Sequence, residues 1–265
     1  MEPRIQYAQT KDGVSIAFYT VGEGMPLVDM PVVLDSHLQL LWKAPEFRPS
    51  YEHLVDKRQL VRYDARGTGL SERDVDDFSL DALVLDLEAV VDHLELEPFA
   101  LFAAFYAGPV AIAYAARHPE RVSHLILWHS FARARDTASP QTRALARLLD
   151  TDWETYTETT AHTMLGWSES EAARRLAERY RESMSQEAMK AFMRAMRGID
   201  VTDLLPQLEV PTLVLHRRQV RFTQVDLSRG LAARIPDARL ALLEGTSPTP
   251  SLGDVDAVLV AIDEF

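Results

Sequence analysis

The sequence predicts an α/β fold, a mostly parallel sheet with helices on both faces, and two observations carry that reading. Apolar runs of strand length alternate with helix-periodic segments up to Trp128, and the alternation resumes from Pro211 to the end. Between them, Ser139 to Asp200 changes texture to charged, amphipathic helices, which read as an insertion and not as an independent domain. At 265 residues, 47% hydrophobic and 26% charged, the chain suits one large α/β domain or two small ones and can bury a core without staples.

Taken in order, Arg4 to Gln9 alternates, Asp12-Gly13 is a turn dipeptide and Val14 to Thr20 alternates again, which predicts a hairpin. Pro26 to Met30 and Gln59 to Tyr63 are short apolar runs flanked by turn chemistry, as buried strands are. Between these, Pro45 and Pro49 keep any helix in His37 to Val55 short or broken. Ser79 predicts an N-cap, with Asp81 in the first turn and Leu80, Leu83, Leu87, Val90, Val91 and Leu94 at helical spacing. A strand over Phe99 to Phe102, a helix over Tyr106 to Arg117 with Gly108 and Pro109 at its start, and a strand over Val122 to Trp128 follow. Strand–helix–strand–helix–strand order requires parallel pairing. In the insertion, helices are expected over Ala144 to Leu149, Trp153 to Met164, Ser168 to Met184 and Gln186 to Met196; Glu171, Arg174, Arg175 and Glu178 give one of them a solvated face. A strand over Thr212 to Leu215, a helix over Val225 to Ile235, a strand over Ala238 to Leu243 and a helix over Asp254 to Phe265 complete the pattern.

Composition excludes several classes of function. With no cysteine there is no disulfide framework, thiolate metal site or cysteine nucleophile. A net charge of −12 disfavours non-specific binding to nucleic acid or an anionic membrane. No apolar run reaches the length of a bilayer span, and Met1 to Gly13 lacks the apolar core of a secretory signal, so a soluble, cytoplasmic protein is expected. No histidine pair has the spacing of a metal motif, and no cofactor is expected.

Several stretches resemble α/β-hydrolase-fold proteins. Asp64-Ala65-Arg66-Gly67-Thr68-Gly69-Leu70-Ser71 resembles the D-x-R-G-x-G-x-S turn of that fold, and Tyr114 to Val122 its helix-to-strand junction. Pro211 to His216 resembles its penultimate strand, and Ile235-Pro236-Asp237-Ala238 with Leu243-Glu244-Gly245 flank its last. The resemblance implies an eight-stranded, mostly parallel sheet with a helical lid: residues 1–136 and 206–265 as the two parts of the core, 137–205 as the lid. More narrowly, Arg62-Tyr63-Asp64, Phe78 to Leu83 and Leu127 to Arg133 are similar to hydrolase-like domains found beside cyclase or helix-turn-helix regulators in bacteria.

That family places a nucleophilic serine on a strained strand-to-helix turn, G-x-S-x-G, with an acid and a histidine following in chain order. The matching turn is Ala103-Ala104-Phe105-Tyr106-Ala107, which puts Phe105 at the nucleophile position. In Arg217-Arg218-Gln219-Val220-Arg221-Phe222 the acid position falls on Val220, and in Glu244-Gly245-Thr246-Ser247-Pro248-Thr249-Pro250 the histidine position falls on Pro248. Met30-Pro31-Val32-Val33 lacks the glycine of the family's oxyanion loop. With all three members replaced by hydrocarbon, the proton relay is absent and no polar group is stranded. Such a site is either core or a greasy pocket that binds without reacting. In the second case Val32, Phe105, Tyr106, Trp128, His129, Val220 and Pro248 are the expected lining, with Trp153, Tyr156, Met164 and Trp167 as aromatic and thioether neighbours from the lid.

Three functions follow from these residues: a binding or regulatory pseudo-hydrolase with an apolar small-molecule ligand; an enzyme working through His129 or His37; or an interaction protein with a filled pocket. His129 ends a strand at the carboxyl edge, where ligands bind in open α/β sheets. His37 neighbours Asp35 and Ser36, but contiguous side chains diverge. The arginines after the penultimate strand could meet an anion, or could be solvated or contact the acidic lid. The resemblance also suggests a homodimer, and no nucleic-acid or membrane partner is expected.

Overall fold

The computed structural model describes every residue except Met1, Ser168 and Phe222. Eight strands form one sheet: β1 (Gln6–Gln9), β2 (Ser15–Val21), β3 (Met25–Asp29), β4 (Arg58–Tyr63), β5 (Phe99–Ala104), β6 (Val122–Trp128), β7 (Thr212–Arg217) and β8 (Ala238–Leu243). Their spatial order is β1-β2-β4-β3-β5-β6-β7-β8. β1, β2 and β4 pair antiparallel, and every other neighbour is parallel.

Period-two alternation sorts side chains onto two layers. Phe99, Leu101 and Ala103 of β5 and Leu125 and Leu127 of β6 face a layer holding α3 (Leu80–His93), α4 (Ala107–Arg117) and α9 (Val225–Ala232). Phe102, Ala104, Ile126 and Trp128 face the other, with α1 (Leu38–Lys43), α2 (Arg48–Lys57) and α10 (Val255–Asp263). Pro45 lies between α1 and α2, and Pro49 falls in the first turn of α2, so the expected short helices are two. Ser79 caps α3, its Oγ accepting from the Ala82 N–H at 3.2 Å. Asp254 does the same for α10 through Ala257, at 3.1 Å.

Between β6 and β7 run α5 (Pro140–Thr151), α6 (Trp153–Leu165), α7 (Ser170–Ser183) and α8 (Gln186–Met196). Three of the four helices start at a side-chain cap. Ser139 and Thr142 cap α5 reciprocally, Asp152 caps α6 and Ser185 caps α8. The expected start of the third of these helices, Ser168, lies outside the described residues. Among the described residues no helix is long and apolar enough to cross a membrane.

The carboxyl edge of the sheet as candidate site

The ends of β3, β5, β6, β7 and β8 meet at one edge, and β5 turns into α4 through Phe105. Its φ is +52°, the left-handed region that a side chain as large as phenylalanine rarely enters. Hydrogen bonds enforce it: the Phe105 N–H donates to the Trp128 carbonyl at 3.0 Å, and its own carbonyl accepts from Gly108 at 3.1 Å. Gly108 is required there, because a Cβ would meet Ser130 Oγ at 2.3 Å. The next strand end repeats the geometry. His129 has φ +47° and its N–H donates to the Leu215 carbonyl at 3.0 Å. Left-handed strain costs about 1–3 kcal/mol at such a residue. Burial of the Phe105 ring, which is 8% exposed, offsets it by about 1.5–3 kcal/mol.

The expected lining residues are largely brought together. The Phe105 ring stacks on the His129 ring, centroids 6.0 Å apart, within the layer that holds Trp128 and contacts Val32 and Tyr106. The Trp128 indole N–H donates to the Pro248 carbonyl at 2.6 Å. Val220 is buried in the turn after β7, its N–H on the Arg217 carbonyl at 3.3 Å, but it joins neither apolar layer. Tyr106 points the other way, edge-on to Phe131 and Phe192. The lid aromatics do not act as one wall. Tyr156 is buried, but Trp167 is 71% exposed and stacks on His162, which corrects its expected place in a pocket.

His129 is enclosed rather than poised. Its Nε2 accepts from the Arg217 N–H at 3.2 Å, so Nδ1 carries the proton and donates to Thr223 Oγ1 at 2.7 Å. Burial first, then His216 and Arg217, hold its pKa far below the ordinary imidazole range. Both nitrogens being occupied, it has no lone pair to offer as a base. His216, 4.0 Å away ring to ring, has its Nδ1 2.8 Å from Ser228 Oγ and is pushed down to about 4 by burial. His37 is the N-cap residue of α1, and burial lowers its pKa, with Asp64, Arg73 and Glu182 as the charges that act on it. Its neighbours diverge as expected: Asp35 takes Arg179 at 2.5 and 3.0 Å, and the Ser36 hydroxyl goes to Asp64 at 2.9 Å.

Arg217 is the functional surprise of this edge. It is neither solvated nor in contact with the insertion: the side chain is fully buried over the Trp128 ring, 5.2 Å from its centroid. Its guanidinium donates to four carbonyls of the loop between β8 and α10, those of Ser247, Thr249, Leu252 and Asp254, at 3.1, 2.9, 2.5 and 2.7 Å. The loop between β8 and α10 is thus held by a buried cation. Of the other loop arginines, Arg218 pairs with Glu244 at 3.2 Å and Arg221 is exposed. An oxyanion site is poorly supplied. Met30 gives its N–H to the Phe102 carbonyl at 2.9 Å, and Pro31 has none to give.

A small pocket lies beneath the insertion. A cavity of about 20 Å³ lies among Met30, Tyr63, Asp86, Tyr106 and Phe192, room for about one water. Asp86 on its wall is paired with Arg66, Nε to Oδ1 2.8 Å, yet burial raises its pKa to about 7. A larger groove, about 410 Å³, runs between β1 and the second half of α3, lined by Lys11, Glu88, Asp92 and His93. It lies at the antiparallel flank of the sheet, beside β1 and away from the ends of β5 to β8, so size alone does not mark the chemistry.

The strand order, the left-handed turn after β5 and the four-helix insertion define an α/β-hydrolase-fold protein. The family model described as serine aminopeptidase, S33, matches residues 53–247, and the chain belongs to that family. It is 25% identical over 242 residues to 3-oxoadipate enol-lactonase 2 of Acinetobacter baylyi, covering 89% of this chain and 88% of that one. It is 28% identical over 200 residues to a putative carbamate hydrolase, RutD, of Caulobacter sp., covering 72% and 74%. Among solved structures, an esterase from Rhodococcus sp. superposes with a TM-score of 0.85 at 20% identity, over 100% of this chain and 98% of that one, which bears on the fold alone.

Proposed function

We propose that this chain is a non-catalytic member of its family, a pseudo-hydrolase that binds or regulates rather than hydrolyses. Its relatives carry the names of hydrolases. One observation carries the departure from them: the left-handed residue of the strand-to-helix turn, where the family's nucleophile stands, is Phe105, φ +52°. Val220 and Pro248 at the other two positions offer no carboxylate and no imidazole. A rescue through His129 or His37 finds no support. The first has both nitrogens bonded and the second has no relay from its neighbours. The test is fluorophosphonate labelling read by mass spectrometry, with activated-ester turnover beside a heat-treated control. Neither labelling nor turnover above the control is expected. A single labelled serine, or turnover that survives purification, ends the proposal.

A second reading, an interaction protein with a filled pocket, is favoured by the cavity of about 20 Å³ beside Tyr106. Phe192→Ala distinguishes the two. If the helices 140–196 work as a lid over a binding pocket, apolar fragments stabilise the wild type and the variant alike. If the pocket is filled, only the variant shows a thermal shift.

A further inference from the structure

We infer that the segment from Pro31 to Asp35 is a strap whose position the insertion controls, with Arg179 as its latch, so that the pocket beneath the insertion widens when the latch is released. This rests on the reading of that pocket as a binding site and adds what controls it. The segment follows β3 and holds the one-turn helix Val33–Asp35. It is pinned to the core at both ends. Met30 gives its N–H to the Phe102 carbonyl at 2.9 Å, and beyond the other end Ser36 Oγ and the Leu38 N–H donate to Asp64 at 2.9 and 3.1 Å. Between these anchors no backbone group of 31–35 bonds to the sheet among the described residues. The Asp35 N–H closes on the Val32 carbonyl at 2.7 Å, within the strap itself.

What holds the middle of the strap is the insertion. Asp35 accepts two bonds from the buried Arg179 of α7, at 2.5 and 3.0 Å, and Glu46 stands 3.5 Å from the same guanidinium. A planar fork on a carboxylate fixes direction as well as distance. The guanidinium also lies over the Phe47 ring, 5.2 Å from its centroid. Leu34 packs against the apolar cluster that Ala161 of α6 and Ala173, Leu176, Ala177 and Tyr180 of α7 form. The same strap lines the pocket, where Pro31 and Val33 stand with Tyr106 and Phe192. One short segment thus touches the insertion and the pocket at once.

The latch frees the strap and not the helix. α7 has anchors of its own on the core: the Ser183 carbonyl accepts from the Gly69 N–H at 2.8 Å, and the Glu182 carbonyl from Arg73 at 3.1 Å. Loss of the Arg179 pair leaves those in place, while the strap keeps only its two ends and Leu34. The coupling is reciprocal. A molecule that enters the pocket and presses the strap outward works against the Asp35–Arg179 pair, and a movement of α7 that draws Arg179 away widens the pocket. Arg175, one turn earlier on α7, pairs with Glu171 of the same helix at 3.0 Å, both side chains exposed, and makes no such link.

The chain has no cysteine, so a single introduced thiol is unique. Val33→Cys in the full chain is alkylated with iodoacetamide and followed by mass spectrometry, alone and combined with each latch variant, and circular dichroism confirms that each is folded. Arg179→Met and Asp35→Ala are each expected to raise the rate at position 33 at least about tenfold. Arg179→Lys, which keeps the charge but not the fork, gives a smaller rise. Arg175→Met is expected to change nothing. Val28→Cys, fully buried in β3, measures global opening, and its rate is expected to stay the same beside Arg179→Met. An unchanged rate at position 33 beside Arg179→Met overturns the inference, as does a rate with the latch intact that already equals that of free cysteine. So does an equal rise at position 28 or beside Arg175→Met, which would report general loosening. A serine labelled by fluorophosphonate would end the non-catalytic reading and leave these rates as they are, so the two fail separately.

Discussion

Two buried regions of this molecule differ in how their polar groups are connected. The turn from Asp64 to Ser71 keeps its polar groups. Asp64 accepts from Ser36 Oγ and from the N–H groups of Leu38 and Leu70, while Ser71 Oγ donates to the Asp64 carbonyl and accepts from Ala17. Gly69, φ +49°, is needed because a Cβ would meet the Asp64 carboxylate at 2.2 Å. Arg66 ties Asp86 and Asp12 together. At the carboxyl edge, the strand ends and the loops after them carry Phe105, Val220 and Pro248. The difference is one of connectivity. In the turn each group satisfies several others, so losing one strands the rest. At the edge, Phe105, Val220 and Pro248 bring no polar side chain, and beside them His216 Nε2 and Arg217 Nε are buried without a hydrogen-bond partner among the described residues.

The largest expected break is at Arg66. Arg66→Met leaves Asp86 buried without its cation, which costs about 3–5 kcal/mol. Arg66→Met with Asp86→Leu recovers most of that, because an apolar pair of similar volume replaces the ion pair. Denaturant midpoints measure both, and an unchanged midpoint in the single variant would dissolve the contrast between the regions. Arg217→Met comes next. It removes a buried charge with four carbonyl bonds from the one place where the apolar edge keeps a cation. The expected loss is about 2–3 kcal/mol, with faster hydrogen exchange concentrated in residues 244–254. A loss spread evenly over the sheet would mean that Arg217 supports the core rather than the loop.

The sequence made the sheet legible because its signal is local. Period-two alternation, caps such as Ser79, and prolines at helix starts each fix an element from a few neighbours. The turn at Phe105 was legible for the same reason, since Ala103, Ala107 and Gly108 are small where the chain turns most tightly. Arg217 was not. A charged residue after Thr212 to His216 reads as the first residue of a loop. What buries it is distant in sequence: the stretch from Ser247 to Asp254, four of whose carbonyls accept from the guanidinium. His129 misled in another way. Its position at the edge is visible in the chain, but the partners that occupy it, Thr223 and the Arg217 N–H, come from another strand end. Trp167 looked like a pocket residue by type, and only three-dimensional placement puts it outside.

The smallest expected effect sharpens the comparison through pH, because the two regions hold titrating groups of opposite sign. His216 at the edge has its folded pKa pushed down to about 4, below the ordinary imidazole value. The unfolded chain therefore binds a proton that the folded one refuses, and stability is lost as pH falls from about 6.5 towards 4. Asp86 beside the turn is raised to about 7, so its contribution is present in acid and is lost as pH rises through that value. Between about pH 4.5 and 6 the two slopes oppose each other, each at most about 1.4 kcal/mol per pH unit. His216→Gln is expected to flatten the rise of stability with pH in that window, and Asp86→Asn to steepen it. Thermal melts across the window, at constant ionic strength, read the difference between the variants directly. Two variants that shift the slope in the same direction would show that the protons are not divided between the regions in this way.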